Sequence, residues 1–135
     1  MEKQTIYITI AVFFGGAAGT LLRFFINEWS SMALFPVGTV IENVSGSLLL
    51  GLLTGWVAYR SVNPVIKEGL GAGFCGGFTT MSTLMADVTM LATAGGEAVL
   101  MTGLYVFVSL TGGLIAAFTG IMLGERVAGK AGEST

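Results

Sequence analysis

Hydrophobic positions in this chain neither alternate nor keep to one helical face. They run on in four long stretches joined by short polar links. A bilayer core about 30 Å thick takes about 20 helical residues to cross, and residues 5–27, 37–59, 65–94 and 97–123 each reach that length. Pro36 and Pro64 stand where the second and third helices should begin, a position proline favours. The third stretch is interrupted. It reads Gly71-Ala72-Gly73-Phe74-Cys75-Gly76-Gly77, and Thr79, Thr80, Ser82 and Thr83 follow. Each glycine costs a helix interior about 1 kcal/mol relative to alanine, so a break near residues 73–80 is predicted. Such a break at membrane depth is tolerated only where the freed backbone is buried or lines a wet cavity, and there its carbonyls can coordinate a cation. The alternative is a kinked helix whose Ser and Thr side chains bond back to their own backbone. No internal repeat is apparent, and four spans leave no room for a soluble domain. The pattern predicts a single all-α transmembrane domain over residues 1–135 with a broken third helix.

Composition agrees. Charged residues make up 10% of the chain, hydrophobic ones 53%, and mean hydropathy is +0.83; a soluble domain carries about 25% charge. There is no His, and Cys75 is the single cysteine. That excludes a His base, a His metal site and an intrachain disulfide. Nothing pairs a nucleophile with a base, so an enzyme is not expected, and nucleic acid is not an expected partner. The Met-Glu-Lys-Gln opening and spanning-length run do not read as a cleavable signal.

Lys and Arg in the loops set orientation. With four spans, Lys3, Arg60, Lys67, Arg126 and Lys130 fall on one side and none falls in the loops of the other. Both termini are therefore expected in the cytoplasm.

Polar groups inside the spans are candidates for function because their burial is expensive. Arg23 is the sole basic residue within the apolar stretches; it serves an ion or snorkels to the interface. Gly15 and Gly19 precede it at spacings of four, sharing its face, and glycines of this kind pack helices closely. Asn43 is either an interhelical clasp or an ion ligand. Glu42 beside it points about 100° away on a helix. Asp87 caps or pairs locally after the break. The hydroxyls of Tyr105 and Ser109, four apart, stack along one face.

Together these residues resemble the Fluc, or CrcB, fluoride channels of bacteria. The resemblance covers nearly the whole chain: Gly15, Gly19 and Arg23, then Gly38-Thr39 through Asn43 to Gly46, then Gly76-Gly77-Phe78-Thr79-Thr80-Met81-Ser82-Thr83. It implies a dimer of oppositely oriented four-helix subunits in the bacterial cytoplasmic membrane, with two fluoride pores. It also implies a structural sodium ion held by the Gly76 and Thr79 carbonyls, and a vestibule role for Arg23. The implied fluoride path runs along Asn43, Met81, Ser82, Thr83, Leu84, Tyr105 and Ser109. Met81 and Leu84 stand where the family has two phenylalanines, whose ring edges carry partial positive charge. Glu42 occupies an expected apolar position, and Asp87 stands for Glu. The one-sided Lys and Arg distribution predicts one insertion direction, hence a heterodimer with a related subunit of opposite topology; the competing reading is a homodimer. Two other classes remain: a small antiparallel multidrug exporter, which would need an acid within the first span, and a non-conducting scaffold.

Overall fold

The computed structural model describes residues 2–30, 35–93 and 98–130, and every element among them is a helix. The long ones are α1 (Glu2–Ser30), α2 (Val37–Tyr59) and α5 (Ala98–Lys130). Between α2 and α5 lie α3 (64–78) and α4 (Met81–Thr93). Three helices are long and apolar enough to cross a membrane, Glu2–Ser30, Val37–Tyr59 and Ala98–Gly129. The third crossing is divided between α3 and α4, which makes this an all-α, multi-pass membrane protein. Hydropathy marked the spans but not the helix ends. α1 begins before residue 5, and α5 continues past Leu123 through Glu125 and Arg126, because Glu and Arg are good helix formers. The expected ends at Ala94 and Glu97 lie outside the described residues.

The molecule is apolar outside and polar within. Phe13, Phe14, Phe24, Phe25, Leu114, Ile115 and Phe118 are exposed, whereas Thr39, Glu42, Thr80 and Ser109 are buried. Where lipid tails are as apolar as leucine, packing between backbones holds helices together. On α1, a methyl group at Gly15 would strike the Gly69 carbonyl oxygen and one at Gly19 that of Phe74. On α2, Gly51 and Gly55 press on the Ala117 and Ile121 carbonyls of α5, and Gly120 and Gly124 of α5 press on those of Leu48 and Leu52. A side chain at any of these points would push two main chains apart.

The expected interruption is narrower than the glycine run. Residues Pro64–Glu68 are α-helical, Gly69–Cys75 form a wider π-helical turn, and Gly76–Phe78 are α-helical again. The glycines therefore stay wound, with Gly69, Gly73 and Gly77 fitted against α1 and Gly71 against Leu50 and Leu53 of α2. The helix opens only at Thr79 and Thr80, where Thr79 is extended at φ −78° and ψ 153°. Asn63 caps the start of α3, accepting from the Val65 N–H at 2.9 Å beside Pro64.

Candidate functional site

Thr80 organises the break. Its hydroxyl oxygen accepts the Thr83 N–H at 3.1 Å, which makes it the N-cap of α4. The same hydroxyl donates to Thr83 Oγ1 at 3.0 Å and lies 3.2 Å from Ser82 Oγ. On the other side, the Thr79 hydroxyl donates back to the Cys75 carbonyl at 2.9 Å, so the back-bonding of a kinked helix is present beside a true break. Asn43 clasps the open chain from α2. Its Oδ1 accepts the Thr80 N–H at 2.7 Å and its Nδ2 donates to the Thr80 carbonyl at 2.9 Å. One side-chain amide thus stands in for a missing peptide on both faces of Thr80. Gly46, almost one turn further on, leaves room for the Thr79 methyl.

These bonds free two carbonyls. In a continuous helix the Gly76 carbonyl would take the Thr80 N–H and the Thr79 carbonyl the Thr83 N–H. Asn43 and the Thr80 hydroxyl hold those two N–H groups instead. No group of three or more His, Cys, Asp or Glu side chains that could hold a metal ion is present among the described residues.

Of the expected path residues, Asn43, Met81, Leu84 and Ser109 line one groove of about 450 Å³, together with Ser47, Thr79 and Thr80. Met81 is 61% exposed and Leu84 2%, so Met81 presents its chain to the groove's open side while Leu84 backs it from within. Ser109 is buried, and its hydroxyl has no partner among the described residues. Ser82 and Thr83 belong to the cap of α4 rather than to this groove. Tyr105 sits on the same face as Ser109, but its hydroxyl donates to Asp87 Oδ2 at 2.7 Å, and its ring meets Phe35 edge-on. Asp87 does not pair locally as expected: it accepts from Thr39 on α2 at 2.8 Å and from Tyr105 on α5. Arg23 lies half-buried, away from the groove and within electrostatic reach of Glu42. Gly76 is exposed on the open side of α3.

Thr80 and Thr39 are site residues that sequence reasoning missed. A threonine just before an apolar helical run is a capping signal that could have found Thr80. No local signal pointed to Thr39, because its partner is 48 residues away.

The described residues thus form a membrane-spanning bundle with small and polar groups inside, arranged around an opened span. Residues 10–121 match the family described as CrcB-like protein, Camphor Resistance (CrcB). A Bacillus licheniformis protein named "Fluoride-specific ion channel FluC 2" is 47% identical over 124 residues, 92% of each chain. Proteins of the same name from Bacillus subtilis and Halalkalibacterium halodurans are 46% identical over 119 residues and 44% over 126. These alignments cover 88% of each chain for the former, and 93% of this chain and 92% of the relative for the latter. The chain belongs to the CrcB family.

Proposed function

We infer that this protein is a fluoride-specific ion channel subunit, passing fluoride down its gradient and so relieving its toxicity. It is not an enzyme. The observation that carries this reading is the Asn43 clasp on Thr80 at the edge of a mainly apolar groove that carries a few small donors, in a chain of the CrcB family. Fluoride is compact and strongly hydrated, so a path must replace its water with compact hydrogen-bond donors. The second Nδ2 hydrogen of Asn43 and the unpartnered Ser109 hydroxyl are of that kind. The Tyr105 hydroxyl and the Ser82 and Thr83 hydroxyls, engaged within the subunit, serve the path by fixing Asp87 and the start of α4. Arg23 acts as an anion attractor at the mouth. A multidrug exporter finds no support, since the acids of α1, Glu2 and Glu28, lie towards its two ends.

Further parts of the reading are proposals of the same kind. The groove is closed by a second, oppositely oriented subunit. A sodium ion at the dimer centre is held by the freed Gly76 and Thr79 carbonyls, which fit a hard cation that takes oxygen ligands. That ion would neutralise main-chain dipoles at the break, and it is structural rather than transported. The membrane is the bacterial cytoplasmic membrane with both termini inside, from the positions of Lys3, Arg60, Lys67, Arg126 and Lys130. The same bias supports a heterodimer with a relative of opposite charge distribution, and the numeral in the relatives' names accords with chains that occur in pairs.

The test is fluoride efflux from liposomes holding the purified chain, alone and co-purified with such a relative. Flux only with the relative supports the heterodimer, flux from the chain alone removes it, and no fluoride flux in either case overturns the channel. Replacing sodium by a large organic cation should lower dimer stability without changing selectivity.

A further inference from the structure

Glu42 is the buried group that the path above leaves unused. It is 0% exposed; its carboxyl oxygens make no well-formed hydrogen bond among the described residues, although the Asn27 side chain of α1 reaches it as a donor. Three other helices face it: α1 with Arg23 and Asn27, α4 with Asp87, and α5 with Tyr105. Asp87 is already engaged, its Oδ2 accepting from both Thr39 and Tyr105. α1 and α2 run close here, since Gly38, one turn before Glu42, lies against Ser30 and Asn27. Arg23 makes no ion pair with a described residue. It is the sole basic side chain set well inside a span.

We propose that Glu42 is the internal counter-charge of Arg23 and competes with the permeant anion for it, an inference that rests on the channel reading. A lone guanidinium beside low-dielectric walls concentrates anions at the mouth. A carboxylate within electrostatic reach turns that single charge into a dipole, whose field falls off faster. The carboxylate has its own need of Arg23, because an uncompensated buried charge is strongly destabilising. An arriving anion must therefore take Arg23 from Glu42, and the subunit carries its own brake on entry at this mouth.

Glu42→Gln removes the charge and keeps the shape. In liposomes carrying the conducting assembly, it should raise fluoride efflux on the order of tenfold at low fluoride, with a smaller gain near saturation. Adding Arg23→Gln should cancel the gain. Efflux unchanged or lowered by Glu42→Gln in folded protein, or a gain that survives loss of Arg23, overturns the proposal. Infrared spectra of the membrane-embedded protein test the pair without relying on flux. Wild type minus Glu42→Gln should show carboxylate bands that shift on Arg23→Gln; a protonated-carboxyl band in their place overturns the pairing. Absence of fluoride flux from wild-type protein would sink the channel reading alone, leaving the infrared result to decide the charge pair.

Discussion

The two halves of α2 are joined to their neighbours by opposite means. From Gly51 to Gly55 the helix lies backbone to backbone on α5, with no side chain between. From Thr39 to Asn43 it reaches out instead, through a hydroxyl to Asp87 and an amide to Thr80. The first seam is held by many small contacts and tolerates no added volume. The second is held by a few directional bonds and leaves a groove beside it. One helix thus supplies both a fixed support and the polar edge that the support positions.

Adding volume at the first seam should have the largest effect. Gly55→Leu would drive a side chain into the Ile121 carbonyl. Overpacking costs typically about 1–3 kcal/mol and more where main chains must separate, so folded protein should disappear from size-exclusion profiles in detergent. At the second seam, Asn43→Ala should leave a folded protein with an unclasped break. Each orphaned backbone group costs about 1–3 kcal/mol, and fluoride efflux should fall at least tenfold, by about 1.4 kcal/mol in barrier terms. Survival of flux would show that the break holds its shape without α2. Thr80→Val removes the cap while keeping the volume; thermal unfolding should report a loss of about 1 kcal/mol, with Thr80→Ser close to wild type. Met81→Phe comes last on stability. At this exposed position the change should stay within about 0.5 kcal/mol, yet efflux should rise as a ring edge with partial positive charge enters the groove. A variant that alters stability more than flux would place Met81 in packing rather than on the path.

The apolar spans and the interruption of the third stretch were legible in the chain, because each depends on residues close in sequence; Asn43 was legible as a polar side chain within a span, but not its partner Thr80, 37 residues away. Apolar run length reports what lipid requires, and Thr80 directly before Met81 carries its own capping signal. The extent of the break was not legible. Helix propensity penalises Gly69, Gly71, Gly73, Gly76 and Gly77 alike, whereas tertiary fit against Gly15, Gly16 and Gly19 keeps that run wound and moves the opening to Thr79. The Thr39–Asp87–Tyr105 link was hidden for a related reason. Its members come from three helices, and no spacing along one chain announces such a meeting.

The wide turn over Gly69–Cys75 has a consequence for where the opening points. A π-helical turn holds surplus residues relative to an α-helix of equal rise, and each residue turns the helix by about 100°. The surplus therefore sets the compass bearing of Thr79 and Thr80. Removing one glycine there would let the coil tighten and swing the threonines away from α2, leaving Asn43 to grasp at lipid.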